Sequence, residues 1–248
     1  MSLSGKHAVV TGGGTGIGLA ISNSLINAGA MVTIMGRNEA RLEKVVKNNR
    51  FMAAVRADIT DEESVKQAVQ KALSYAPIDI LVNNAGNAES KPFHQTDYEN
   101  WKHMIDINLN GTFLMTRAVI ESMIERNSGN IINVASTAGL KGYAFMAGYS
   151  AAKHGIVGMT RSIAAELSNS NIRANALCPG FVNTNLVRNG IKSIITKHGC
   201  SEEEALERML GQDNQPRLIE PEEVGEQAVW LCNNDVNGQA ILMDGSER

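Results

Sequence analysis

A doubly wound α/β fold, one parallel sheet of about seven strands with helices on both faces, is what this sequence predicts. Short apolar runs alternate with amphipathic stretches almost to the end of the chain. Those runs are near-continuously apolar, as strands covered on both faces require. At the first strand-to-helix junction stands Thr11-Gly12-Gly13-Gly14-Thr15-Gly16-Ile17-Gly18, a glycine turn opening a helix. A chain of 248 residues is long enough for one large domain with a proper core. The expectation is a single domain over 1–248.

The first strand is read at His7-Ala8-Val9-Val10, and its helix over about 17–28, closed by Gly29. Met31-Val32-Thr33-Ile34-Met35 is the second strand, followed by a charged helix over about 39–48. The third strand runs over 52–56 and its helix over about 61–75. Ile78-Asp79-Ile80-Leu81-Val82-Asn83 reads as a buried fourth strand. Helices are expected over about 96–109 and 111–125, then the fifth strand, Asn130-Ile131-Ile132-Asn133-Val134. A long helix covers about 147–168, Ile172 to Leu177 is the sixth strand, and Ala240-Ile241-Leu242-Met243 the seventh. The irregular stretch over about 183–220 is charged and helical in places. An insertion of that length in a compact α/β domain reads as a lid or binding loop.

Composition narrows the class further. With 43% hydrophobic and 20% charged residues the chain is ordinary for a soluble globular protein. A net charge of −3 offers no electrostatic footprint for nucleic acid or an anionic membrane surface. No apolar run approaches the roughly 18 residues that cross a bilayer. The N-terminus carries no signal-peptide pattern, so a cytoplasmic location is expected. Cys178, Cys200 and Cys232 are odd in number and scattered, which fits reduced thiols better than disulfides or a metal site.

Gly12, Gly16 and Gly18 suit a tight turn that lets pyrophosphate approach the backbone under a positive helix N-terminus. Downstream, Tyr149 and Lys153 are four apart on one helix face, with Ser136 thirteen residues before the tyrosine. A lysine ammonium beside a phenol favours the phenolate, so such a tyrosine can exchange a proton near neutral pH. A dinucleotide cradle with that pair fits hydride transfer between a nicotinamide and a carbonyl or alcohol. An NAD enzyme would place Asp or Glu at the end of the second strand. Here Gly36 is followed by Arg37 and, a turn later, Arg41, and guanidinium groups suit a 2′-phosphate. NADP(H) is therefore the expected cofactor, with NAD(H) as the alternative if Arg37 is a solvated charge. His154 reads as packing or interface, and Cys178 as a small core residue.

The spacing G-x-x-x-G-x-G resembles that of the short-chain dehydrogenase/reductase family. Asn83-Asn84-Ala85-Gly86 matches its N-N-A-G, and Pro179-Gly180-Phe181-Val182-Asn183-Thr184 its P-G-x-x-x-T nicotinamide loop. Ser136, Tyr149 and Lys153 match its catalytic set, with Asn108 in Ile107-Asn108-Leu109 as the fourth member. The resemblance covers essentially the whole chain and implies a single Rossmann domain. It also implies that Asp58 bonds the adenine amino group. Thr15, Ile17, Ile59, Asn84, Ala85, Gly86, Pro179, Gly180, Val182 and Thr184 join the cofactor set, with Tyr149 and Lys153 touching it too. By the same resemblance Lys153 holds a ribose hydroxyl, Ser136 the developing oxyanion, and Asn108 a water leading from the lysine. Members of the family are usually homotetramers.

The lid resembles that of 3-hydroxybutyrate dehydrogenases and, more loosely, of polyketide ketoreductases, which points to a 3-oxo or 3-hydroxyacyl substrate. The hydroxybutyrate enzymes hold their carboxylate with polar and basic groups. The matching positions here are Ala138, Met146 and Gly190, which cannot hold an isolated carboxylate. With Leu186, Val187 and Ile191 they suggest an apolar pocket for a longer acyl, cyclic or aromatic group. The leading expectation is thus an NADP(H)-linked 3-oxoacyl thioester reductase. Its rivals are a dehydrogenase of cyclic or steroid-like alcohols and a catalytically silent dinucleotide sensor.

Overall fold

The computed structural model describes residues 2–47 and 49–246. Its sheet has seven strands, all parallel, in the order β3-β2-β1-β4-β5-β6-β7. The strands are β1 (His7–Thr11), β2 (Met31–Gly36), β3 (Met52–Arg56), β4 (Ile80–Asn83), β5 (Gly129–Val134), β6 (Ile172–Pro179) and β7 (Ala240–Met243). The helices are α1 (Gly16–Asn27), α2 (Glu39–Val46), α3 (Glu62–Leu73), α4 (Tyr98–Ile105), α5 (Gly111–Arg126), α6 (Ala147–Glu166), α7 (Asn185–His198), α8 (Glu202–Leu210) and α9 (Pro221–Asn233).

Every residue of β1 is buried, so its apolar run serves both faces of the sheet. Ala8 and Val10 face one core with Ile21 and Leu25 of α1 and Val224 and Leu231 of α9. Val9 faces the other, against Val65 and Val69 of α3 and Met115 and Val119 of α5. Alternate residues of a strand point to opposite faces, and here both faces are apolar. Each such buried side chain contributes roughly 1.5–3 kcal/mol of burial free energy.

Polar side chains set the helix starts. Asn38, Asp61, Asp97, Thr184 and Ser201 each accept a backbone N–H from the first turn of α2, α3, α4, α7 and α8. Thr15, at the start of α1, makes no such bond. The expected helix over 96–109 instead ends at Ile105 and passes through a π turn, Asp106–Asn110, into α5. The extra residue in that turn breaks the 3.6-residue pattern that the sequence suggested, and such turns recur at functional sites. Asn48, where the second helix was expected to end, lies outside the described residues, as do Glu247 and Arg248.

A polar ladder runs across the sheet on the face covered by α5 and α6. The Asn83 amide donates to Thr116 Oγ1 and to Asn133 Oδ1, both at 2.9 Å. Asn133 donates in turn to Thr160 Oγ1 at 2.8 Å. On α5, Thr116 donates to Thr112 O and Thr112 to Asn108 O. The ladder thus joins the π turn to α6 through β4 and β5.

At the opposite end of the sheet His7 is 2% exposed. Its Nδ1 lies 3.0 Å from Ala76 O and its Nε2 2.8 Å from Thr33 Oγ1. Burial pushes its pKa below the usual histidine value, against the opposing effects of the Ala76 carbonyl and Asp79. The folded state therefore binds fewer protons than the unfolded chain just below pH 6.5, and stability falls as the pH drops through that window. Urea unfolding at pH 7.5 and 5.5 should show the loss, at most about 1.4 kcal/mol per pH unit from this group. A His7→Gln variant should lose that part of the slope; an unchanged slope would remove His7 from the account.

Candidate active site

Adjacent strands β1 and β4 connect in opposite directions along the sheet, β1 toward β2 and β4 toward β5. A crevice opens at the carboxyl ends of strands at such a switch point. The structure brings the two ends of the expected site together there.

Gly12 and Gly16 adopt left-handed φ of 65° and 51°, which side-chain-bearing residues rarely take. At Gly18 an added Cβ would collide with Gly12 O and the Asn84 amide, so backbone packs on backbone. Thr11, which the sequence offered only as the start of the motif, braces the turn. Its Oγ1 accepts the backbone N–H groups of Asn84 and Ala85, both at 3.0 Å. Asn84 donates its amide to Thr11 O at 3.0 Å, so it shapes the glycine turn from behind. Above the turn lies a cleft of ≈ 310 Å³, lined among others by Gly12, Thr15, Arg37, Asp58, Ile59, Ala85 and Gly86. The uncapped N–H groups of α1, the side-chain-free turn and the cleft fit a pyrophosphate and the nucleoside beyond it.

At the cleft's outer end Arg37 and Arg41 are exposed. Among the described residues neither guanidinium has a carboxylate within 4 Å. Asp58 lies inward of them. Burial would raise its pKa, but hydrogen bonds from the Thr60 hydroxyl and N–H and the charges of Arg37 and Arg56 outweigh it. Its carboxyl is held below the usual range and ionised. Ile17 is half-buried and packs against the core beneath the glycine turn. The Pro179–Thr184 stretch closes the crevice from β6. Gly180 N–H donates to Met243 O at 2.9 Å, Val182 bridges to Ile219, and the Thr184 methyl lies 3.4 Å from where a Cβ on Gly16 would stand.

The four expected catalytic residues converge beside Gly86. Lys153 on α6 is 4% exposed, and its ammonium donates to Val134 O at 2.9 Å. A Cβ on Gly86 would stand 3.7 Å from that Nζ and 2.6 Å from Asn108 Oδ1, so only glycine lets the two approach. Asn108 is wholly buried in the π turn. Its amide donates to Asn87 O at 2.9 Å and to Met104 O at 3.0 Å. Ser136 follows β5, and its Oγ accepts Ala138 N–H at 3.1 Å, leaving its own hydrogen for Tyr149.

The proton affinities differ in one respect from what the four-residue spacing suggests. Tyr149 is raised, not lowered: burial pushes it up, and the hydrogen bond from Ser136 opposes that only in part. Lys153 is the depressed partner, brought down to about 8 by burial. Its Nζ stands 5.5 Å from the Tyr149 ring centroid, near enough to favour a phenolate as one forms. The site holds a protonated phenol and a marginal ammonium, which a pattern of residue types cannot reveal.

The expected substrate residues divide. Ala138 is buried next to Ser136, and Met146 is half-buried at the start of α6. Leu186 is 57% exposed on α7. Ile191 is buried against Ala205 and Met209, with Val187 packed on the same cluster, so both serve α7–α8 packing. Gly190 faces Met209 in that cluster, its absent Cβ 3.1 Å from the methionine methyl. Sequence reasoning missed Thr137, Tyr143, Asp213 and Gln215, which sit between this loop and the lid. Nothing in their local sequence marks them, because only the folded chain brings them together.

The sequence profile described as short chain dehydrogenase matches residues 6–193. The putative ketoacyl reductase 1 of the granaticin polyketide synthase of Streptomyces violaceoruber is 36% identical over 248 residues, covering 96% of this chain and 91% of that protein. D-beta-hydroxybutyrate dehydrogenase of Cupriavidus necator is 37% identical, covering 98% of each. Among solved structures, a variant of actinorhodin polyketide ketoreductase with NADPH superimposes with a TM-score of 0.91 at 33% identity, over 99% of this chain and 98% of that one.

Proposed function

The chain belongs to the short chain dehydrogenase family, and from that premise we propose that it is an NADP(H)-dependent reductase of 3-oxoacyl thioesters. At the coarser level it is an oxidoreductase acting at a C=O or CH–OH group with a nicotinamide cofactor. The convergence of Ser136, Tyr149, Lys153 and Asn108 at Gly86 carries the catalytic reading.

Gly12, Thr15, Asp58 and Gly86 would hold a dinucleotide in the cleft, and its nicotinamide would supply a hydride for the carbonyl carbon. Tyr149, protonated through neutral pH, gives its proton to the carbonyl oxygen as negative charge develops there. The Ser136 hydroxyl, which donates to the phenol in this structure, turns its one hydrogen to that same oxygen. Lys153 then stabilises the phenolate left behind. Asn108, locked by two carbonyls, holds the π turn at a fixed distance from the lysine.

Two features support the finer choices. Gly36 leaves no carboxylate at the end of β2, where a ribose 2′-hydroxyl would be bound, while Arg37 and Arg41 line the cleft at that end. Ala138 and Met146 offer a small carboxylate no partner, and burying one unpaired is expensive. An acyl thioester has no such charge at the reacting end. Residues 183–220, with α7 and α8, are read as the lid over it.

Initial rates of NADPH and NADH oxidation with acetoacetyl-CoA, acetoacetate and cyclohexanone test the assignment. NADPH with acetoacetyl-CoA should be fastest. Turnover confined to the cyclic ketone would move the enzyme to the alcohol dehydrogenases. Tight dinucleotide binding with no turnover on any of them would favour a sensor.

A further inference from the structure

One buried carboxylate joins the loop that carries Ser136 and Tyr149 to the end of the lid. Asp213 lies just beyond α8, and its side chain is 4% exposed. Three donors converge on it, all from the loop between β5 and α6. The Tyr143 hydroxyl donates to Oδ1, the Thr137 hydroxyl to Oδ2 at 3.1 Å, and the Lys141 ammonium stands 2.6 Å from Oδ1. Lys141 also donates to Gln212 O at 2.9 Å.

The same turn is fastened on its other side. Gln215, 4% exposed, accepts the Phe181 N–H and donates to Phe181 O, each at 2.8 Å. Gly180 has no room for a side chain, because a Cβ there would strike Gln215 Oε1 and come within 3.5 Å of Asp213 Oδ2. Residues 213–215 are thus stapled both to the catalytic loop and to the turn after β6.

The loop under this staple is strained. Phe145 has a φ of 67°, a left-handed conformation that bulky residues avoid, and its carbonyl accepts Lys91 N–H at 2.8 Å. Such a conformation persists only where its surroundings over-determine it. It lies between Tyr143, gripped by Asp213, and Tyr149.

We propose that Asp213 is a positioning residue: through Thr137, Lys141 and Tyr143 it holds the stretch between Ser136 and Tyr149 in its reactive geometry and locks that stretch to the base of the lid. The proposal rests on the catalytic reading given above. Asp213 touches no reacting atom; it acts through the loop, where small misplacements of reacting groups are costly in rate.

The test compares Asp213→Asn and Tyr143→Phe with the parent and with Tyr149→Phe. Asp213→Asn keeps the shape and one acceptor oxygen and loses the charge. Tyr143→Phe removes a single hydroxyl and should fold normally. Hydrogen exchange by mass spectrometry follows residues 137–146 and 211–217, which needs no substrate. NADPH affinity is read by fluorescence titration, and kcat on the fastest ketone of the panel, per folded molecule. The expected result is faster exchange in both segments, NADPH affinity within about twofold of the parent, and kcat lower by about 10–100-fold in Asp213→Asn. Tyr143→Phe should give a smaller loss, and the double variant less than the product of the two, as groups sharing one contact do. Unchanged exchange, or slower folding-normalised turnover in neither variant, would overturn the proposal while Tyr149→Phe remained inactive. Full activity in Tyr149→Phe would instead remove the catalytic reading, and this role with it.

Discussion

Tyr149→Phe lowers kcat for carbonyl reduction by about 10²–10⁴-fold while leaving dinucleotide affinity nearly unchanged. The substitution removes one oxygen from a half-buried ring on α6 and leaves the helix contacts in place. What it takes away is the proton donor. Burial holds that phenol protonated, and the hydrogen bond from Ser136 holds it in place. The pH profile of the parent carries the second half of the expectation. Burial brings Lys153 down to about 8, so above that pH the ammonium that stabilises the phenolate left behind is lost and reduction slows. Stopped-flow rates from pH 6 to 9.5 should be flat at first and fall on the alkaline side. A Tyr149→Phe enzyme within threefold of the parent would sink the assignment.

Arg37→Asp raises the KM for NADPH by about 10²-fold and leaves that for NADH within a fewfold. A hydrogen bond to a charged group contributes roughly 1.5–3 kcal/mol, and the substitution also sets a carboxylate against the phosphate. Arg41 stands a turn further along the same side of the cleft and tempers the loss. Adding Arg41→Ala should therefore deepen it. Steady-state kinetics with both cofactors measures the ratio. If the NADPH to NADH preference is the same in parent and variant, Arg37 is a solvated surface charge.

The elements that the sequence announced share a physical cause. Apolar runs such as Ala8-Val9-Val10 and Leu81-Val82 are buried on both faces, so composition alone betrays them. The glycine turn and the Tyr149–Lys153 pair are short-range patterns, and the structure brings Lys153 up to Gly86, which lines the cleft above that turn. Where the outcome differs, tertiary context decides it. The π turn at Asp106–Asn110 costs one residue of helical register that no periodicity shows. Ile191 looks like a pocket residue until α8 is seen packed against it. Tyr149 looks like a tyrosine with a lowered pKa until its burial is counted. Asp213 reads as one more charge in a polar stretch, because its three donors come from some seventy residues upstream.

The chain of amides and hydroxyls from Asn108 to Thr160 also acts as a parity check on the fold. Asn83 and Asn133 are paired neighbours on β4 and β5, and side chains alternate faces along a strand. A slip of β4 by a single position would turn Asn83 toward the other core, away from Thr116 and Asn133. Each polar group so stranded costs about 1–3 kcal/mol, whereas a slipped run of Ile, Leu and Val would cost little by itself. Hydrophobic strands alone are nearly interchangeable from one register to the next. Two asparagines, with three of their amide hydrogen bonds made in this register, favour the correct alignment, and so keep Gly86 in step with the lysine across from it.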